Sequence, residues 1–307
     1  MNTDYEKIVN IDEIGNYSKI DFSKIIEMAH YEKIKKSDED NKRTLLLAID
    51  MQKDFMEGGT MGVPNSKKDV ENITKFIYKN MDKITNIMCS LDTHSPMQIF
   101  HPCWWVNKEG KSPEPYTIIS KEEFDNKVWM PNNMDVEKTK EYIYELSKVG
   151  KQLCIWPYHC IQGTQGATLE NEFAKMVYFH SVARNTHNKM VTKGMDPYSE
   201  MYGIIKPEYS RTSFINKDVL DAIKTYDEVY IVGEASSHCV LESVKQIAQY
   251  FKDKLDITKR LTVLTDCTSP IHGYEEATIK DFKLLNEKYG VKIEISKNIE
   301  MLESRKQ

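Results

Sequence analysis

Apolar residues in this chain gather into short runs separated by stretches of helical period. The runs "TLLLAID" (44–50), "KITNIMCSLD" (83–92) and "EVYIVGE" (228–234) dominate, followed by "RLTVLTD" (260–266) and "VKIEIS" (291–296). Short "KQLCIW" (151–156) and "KMVTKG" (189–194) add edge or connecting strands. Between them, "DVENITKFIYKNM", "NKDVLDAIKTY", "CVLESVKQIAQYFKD" and "EEATIKDFKLLNEKY" carry apolar residues at helical spacing. Runs apolar at consecutive positions are buried on both faces. Alternated with helices, they predict an α/β fold: a three-layer α/β/α sandwich around a mostly parallel central sheet. Ligands of such sheets bind beyond the carboxyl ends of the strands. Asp50, Asp92 and the 234–239 turn are therefore predicted to converge on one edge.

Two segments stand apart from this alternation. Residues 1–42 are charged, close with "KKSDEDNKR" and carry one helical stretch near "FSKIIEMAHYEKI". They are expected to form an N-terminal extension, a surface helix and linker, ahead of a domain spanning 43–307. Within that domain an insertion at about 103–150 is irregular, with Pro113, Pro115, Pro131 and three tryptophans. A connection of that length in a compact domain is functional or structured in its own right.

Composition narrows the function. At 307 residues, with 40% hydrophobic residues and a net charge of −5, the chain can bury a substantial core but offers no basic excess. That argues against a nucleic-acid or anionic-membrane surface. No apolar run approaches the roughly 20 residues needed to span a bilayer. "MNTDYEKIVNIDEIG" lacks the basic and apolar regions of a secretory leader. Six cysteines without C-x-x-C pairing are then expected to be reduced thiols. The expectation is a cytoplasmic protein that acts on a small molecule and, like most soluble α/β enzymes, forms a homo-oligomer.

Several polar residues fall on the predicted edge. Asp50 ends the first strand and suits either a helix N-cap, which its position favours, or a general base. Asp92 and His94, two apart in "SLDTH", can face one ion from an extended segment. His159, on the loop "WPYHCIQGTQG", would complete a carboxylate–imidazole set of the kind that leaves catalytic metal sites open. His101 is a possible extra ligand, with a solvent-facing loop histidine the plainer reading. Lys193 is either a solvated surface lysine or a neighbour of Asp50 and Cys239. Cys239 follows a buried strand and opens a helical pattern. There the helix dipole favours a thiolate, although free cysteines are more often inert and buried.

In order, "AIDMQKDFMEGG", "SLDTH", "WPYHCIQGTQGA", "VTKGMDPYSEMYG" and "VGEASSHCV" resemble the successive signatures of the isochorismatase-like cysteine hydrolases, nicotinamidases above all. The match spans roughly residues 44–296. The resemblance implies a catalytic triad of Asp50, Lys193 and Cys239, in which Asp50 takes the thiol proton and Lys193 stabilises the pair. The thiolate attacks a carboxamide carbon and water later hydrolyses the thioester. It further implies an oxyanion hole of the backbone N–H groups of Ala235 and Cys239, each donor contributing roughly 3 kcal/mol, and a cis peptide at Glu234–Ala235. One divalent metal, zinc first with iron or manganese as alternatives, would be held by Asp92, His94 and His159 and would bind the pyridine nitrogen. Phe55, Trp156 and Tyr198 match pocket-lining positions. The implied reaction converts nicotinamide to nicotinate and ammonia, a step of NAD salvage in pyridine nucleotide metabolism. The alternative is another small carboxamide, ureido or carbamoyl substrate. Glu234 departs from the pattern, because that position is usually apolar.

Overall fold

The computed structural model describes residues 1–301; residues 302–307, the end of the predicted 43–307 domain, lie outside the described residues. Six parallel strands form the central sheet: β1 (Thr44–Ile49), β2 (Asn86–Asp92), β3 (Lys189–Lys193), β4 (Glu228–Gly233), β5 (Leu261–Leu264) and β6 (Lys292–Glu294). Their spatial order is β6-β5-β4-β1-β2-β3. The chain builds outward from β1 through β2 to β3, then crosses back to β4 and builds the other way. That reversal beside β1 is the topological switch point at which parallel sheets open a crevice.

The inner strands are buried on both faces, as their continuous apolar runs require. Along β1, Leu46 and Ala48 enter one core, while Leu45, Leu47 and Ile49 enter the other. The first core is covered by α1 (Phe22–His30), α2 (Ser66–Lys79) and α4 (Asn171–Ala183). The second is covered by α5 (Lys217–Lys224), α6 (Leu241–Tyr250) and α7 (Glu275–Tyr289). The result is the predicted three-layer α/β/α sandwich. Among the described residues no helix is long and apolar enough to cross a membrane. Of the two short segments, Lys189–Lys193 is a parallel edge strand as expected, whereas Leu153–Cys154 stays out of the sheet and pairs antiparallel with Ile118–Ile119.

The 103–150 stretch is structured by a third apolar cluster of its own. Trp104, Trp105, Phe124, Tyr142, Ile143 and Leu146 pack together, with α3 (Val136–Lys148) as its helix. Asp135 caps α3 by accepting the N–H of Lys138 at 3.0 Å.

Residues 1–42 are more deeply tied down than a surface helix and linker. Tyr5, Ile8, Val9, Ile14, Ile25 and Ala29 are buried in the first core. The buried carboxylate of Glu32 accepts the backbone N–H groups of Asn2 and Thr3 at 2.8 and 2.7 Å. Arg184, fully buried after α4, pairs with Asp40 at 2.5 Å and donates to the carbonyls of Ile84 and Lys35. Removing one partner of a buried ion pair strands the other charge, at about 3–5 kcal/mol. Arg184→Leu is accordingly expected to lower unfolding free energy by about that much in urea titrations. A loss under about 1 kcal/mol would show that the extension is not anchored through this pair.

Candidate active site

The carboxyl edge of the sheet brings the polar strand ends together. Asp92 on β2 pairs in register with Lys193 on β3, and Ile49 on β1 with Gly233 on β4. Asp50 thus follows directly where β1 meets β4. Two glycines permit the close approach. A Cβ on Gly233, whose φ is +119°, would lie 2.0 Å from the Ile49 carbonyl oxygen. A Cβ on Gly194, at φ +75°, would lie 2.6 Å from His94 Cε1 and 2.7 Å from an Asp92 carboxylate oxygen. Both positions require glycine.

Asp50 is no helix cap. It is fully buried, its Oδ1 accepts the Ser90 hydroxyl at 2.5 Å, and its Oδ2 lies 2.9 Å from Lys193 Nζ. Nor is Lys193 a surface lysine, with only 2% of its surface exposed. Its ammonium also meets Asp92 Oδ1 at 3.0 Å, the Met201 carbonyl at 3.0 Å and Cys239 Sγ at 3.8 Å. Donor atoms of Asp50, Asp92 and Cys239 lie within 4.8 Å of one another, and the lysine ammonium stands among them.

Electrostatics give each member a direction. Burial pushes the Asp50 carboxyl up, against the attraction of Lys193 and with help from Asp92. Burial would pull Lys193 down, but Asp50 and Asp92 outweigh it and hold the ammonium charged. Burial pushes the Cys239 thiol up, with Lys193 opposing. The helix-dipole expectation of a lowered thiol pKa is thus overridden by desolvation. Cys239 sits in a π-helical turn, Ser236–Val240, that leads into α6. The Glu234–Ala235 peptide before it is cis.

A second group adjoins the first through Asp92. Its Oδ2 lies 3.0 Å from His94 Nε2 and 3.7 Å from His159 Nε2, and all three residues are buried. His94 Nδ1 contacts the Gly194 carbonyl at 3.0 Å and His159 Nδ1 the Pro157 carbonyl at 2.8 Å. A ring nitrogen that donates to a carbonyl leaves the other nitrogen's lone pair free, the usual orientation of a metal-ligating histidine. His94 Nε2 is buried and has no partner besides the Asp92 carboxylate. Carboxylate plus two imidazoles, oriented and orphaned in this way, fit a divalent metal ion. His101 is not solvent-facing: it is fully buried, held neutral by burial at a pKa of about 3, and its Nε2 also lacks a partner. Its ring centroid lies 6.0 Å from that of His94.

Both groups open into one cavity. Asp92, His159, Ala235 and Cys239 line it, with Phe55 and Trp156 as aromatic walls. Tyr198 does not line it; it packs edge-on against Trp104 at 4.9 Å in the third cluster. Its expected place is taken by Tyr202, whose hydroxyl accepts Trp156 Nε1–H at 3.1 Å. Glu200 and His238 also line the cavity unforeseen. Glu200 is pushed up to about 7 by burial, against the attraction of His94. Both residues lay inside motifs already singled out, next to Met201 and Cys239, but only the backbone path shows where their side chains go.

No family model matches the chain. In sequence it is 26% identical over 236 residues to the nicotinamidase of Saccharomyces cerevisiae, covering 76% of this chain and 92% of that one. It is 24% identical over 221 residues to the Escherichia coli nicotinamidase, covering 72% and 80%. Among solved structures, the yeast nicotinamidase bound to the inhibitor nicotinaldehyde superposes with a TM-score of 0.57 at 21% identity, over 82% of this chain and 99% of that one. A nicotinamidase/pyrazinamidase of Acinetobacter baumanii superposes at 0.56 and 19% identity, over 85% and 99%. The chain is similar to nicotinamidases in sequence and shares the fold of their solved structures. In this nicotinamidase-like chain the five quoted motifs are the segments that meet at the carboxyl edge.

The metal reading has a direct check. Purified protein is expected to take up one divalent ion per chain by elemental analysis, and His159→Ala to weaken that uptake by more than about 100-fold. Unchanged stoichiometry and affinity in the variant would rule out the Asp92–His94–His159 site.

Proposed function

We propose that this chain hydrolyses nicotinamide to nicotinate and ammonia by covalent cysteine catalysis. Its standing as an amidohydrolase acting on a carboxamide C–N bond rests on the similarity to nicotinamidases. The observation that carries the mechanism is the Lys193 ammonium held between Asp50 and Asp92 and 3.8 Å from the Sγ of Cys239, which lines a small apolar cavity.

The steps follow from these groups. A base must be more basic than a free carboxylate to take a thiol proton, and burial raises Asp50 accordingly. As Asp50 accepts that proton, the thiolate forms beside the Lys193 ammonium, which compensates its charge in a dry site. Sulfur attacks the amide carbon, and the carbonyl oxygen swings toward the backbone N–H groups of Ala235 and Cys239. Protonated Asp50 returns its proton to the departing nitrogen, releasing ammonia and leaving a thioester. Asp50 then accepts a proton from the water that hydrolyses the thioester, and Cys239 is regenerated.

Asp92, His94 and His159 would hold a divalent metal, with His101 as a neutral imidazole beside them. When bound, it supplies a Lewis-acid anchor for a ring nitrogen. Phe55, Trp156 and Tyr202 sandwich a flat ring so that its amide reaches sulfur.

Ammonia release from nicotinamide tests the reading. Cys239→Ala is expected to abolish turnover, and Lys193→Met to reduce kcat by at least about 10³-fold, since it uncouples the base from the thiolate. Chelation should reduce turnover and added metal restore it. Metal-replete wild type that releases no ammonia would remove nicotinamide as the substrate.

A further inference from the structure

Glu234, the residue that departs from the resemblance, is fully buried where β4 ends, beside Asp69 of α2, which is only 4% exposed. Among the described residues no cation pairs with them. The groups that face the pair are Ser269 from the loop after β5, Asp266 from the turn that ends it, and Glu57 from the loop before α2. Glu234 Oε2 accepts the Ser269 N–H at 3.4 Å. The two carboxyls lie close enough to act on each other, and among the described residues the buried Glu234 Oε1 and Asp69 Oδ2 have no donor. Two carboxylate oxygens are acceptors only; they bond to one another when one of them carries a proton.

We propose that Asp69 and Glu234 share one proton, and that this acid pair is a positioning device that holds the 234–239 turn against α2 and the 268–271 loop. The geometry of that attachment is continuous. Ser236 N–H donates to the Ser269 carbonyl at 2.8 Å, and the Ile271 N–H donates to Ser237 Oγ at 3.0 Å. Ile271 in turn lines the cavity beside Ala235 and Cys239. Glu234 thus fastens one end of the segment that carries the nucleophile, and its neighbour Ala235 faces the reacting site. Burial is the cause that keeps the proton on the pair, raising Asp69 to about 6 and Glu234 well above the usual carboxylate range. Like charges in contact cannot both ionise without separating. Once the proton leaves, repulsion pushes the turn off α2. This rests on the reading of Cys239 as the nucleophile and Ala235 as an oxyanion donor.

The sign of the stability effect is fixed. Both carboxyls titrate higher folded than unfolded, so the native state retains a proton that the unfolded chain releases. The stabilisation is present below the unfolded carboxyl range and is lost as pH rises through the folded range.

Glu234→Gln separates the possibilities, because its amide donates to an ionised Asp69 without a shared proton. Two readouts suffice, neither using nicotinamide. The first is the melting temperature between about pH 5 and about pH 9: wild type is expected to lose roughly 2–4 °C more than Glu234→Gln. The second is the rate of Cys239 alkylation by iodoacetamide, followed by mass spectrometry over the same range. Its wild-type pH profile should carry an inflection that Glu234→Gln lacks, and Asp69→Asn should remove the same inflection. Coincident melting curves would overturn the shared proton. Separated melting curves with coincident alkylation profiles would overturn the positioning role. Absence of ammonia release would bear only on the substrate.

Discussion

The Lys193 ammonium is the contact on which the site is built. A buried cation costs several kcal/mol unless fully compensated, and Lys193 is compensated at every hydrogen. Its three donors meet Asp50 at 2.9 Å, Asp92 at 3.0 Å and the Met201 carbonyl at 3.0 Å. One side chain therefore ties Asp50, beside Cys239, to the carboxylate that faces His94 and His159. Two carboxylates against one ammonium leave an excess negative charge in a dry site. That excess is part of what lifts Asp50, and it suits a divalent ion at Asp92. An arginine could not substitute, since a planar fork has no geometry for three convergent acceptors and a nearby sulfur.

The sheet delivers these charges by register alone. Asp92 and Lys193 are ladder partners on β2 and β3, and Asp50 follows the last residue of β1. Neighbouring parallel strands lie about 4.8 Å apart. Three strand ends in adjacent positions therefore present their side chains within ion-pair reach without any loop holding them. Cys239 comes from the other side of the switch point, off β4, where Gly233 lets the chain pass against Ile49. A one-residue slip of any of these strands would turn its charge to the opposite face. Burial of both faces of β1, β2 and β4 prevents the slip.

What was legible in the sequence follows the same physics. β1 and β4 announce themselves because strands buried on both faces must be continuously apolar. The convergence of Asp50, Asp92 and the 234–239 turn followed from parallel topology. Lys193 was ambiguous because "KMVTK" alternates like an edge strand, and burial of a lysine depends on two acids 143 and 101 residues away. Helix α4 is absent from the helical segments legible in the sequence: Phe173, Ala174, Met176, Val177, Phe179 and His180 are all buried, between the sheet and the N-terminal segment. Covered on so many sides, it shows no polar face and hence little period. The extension at 1–42 looked like a linker because its anchors are backbone N–H groups on Glu32 and the distant Arg184. Tyr198 and Tyr202 are one helical turn apart in spacing, and only the path after Gly194 decides which of them reaches the cavity.

Reaction and substrate are set by different parts of the molecule. The charged cluster belongs to the sheet and its two cores, whereas the cavity wall opposite Phe55 is held by the third cluster. Trp156 is fixed there by its backbone N–H on the Phe100 carbonyl at 2.7 Å, while the Ile155 carbonyl accepts the Tyr116 N–H at 2.5 Å and the Ile155 N–H donates to the Thr117 carbonyl at 2.9 Å. Behind them Trp104 and Trp105 pack with Tyr142, Ile143 and Leu146 of α3 in a cluster distinct from the sheet's two cores. A change of packing in the 103–150 stretch therefore moves Trp156 and Tyr202, and so the space beside the ring. It leaves Asp50, Lys193 and Cys239 where the strand register puts them. Amide chemistry can be kept constant in such a chain while the shape of its acceptable amides is retuned from a satellite core.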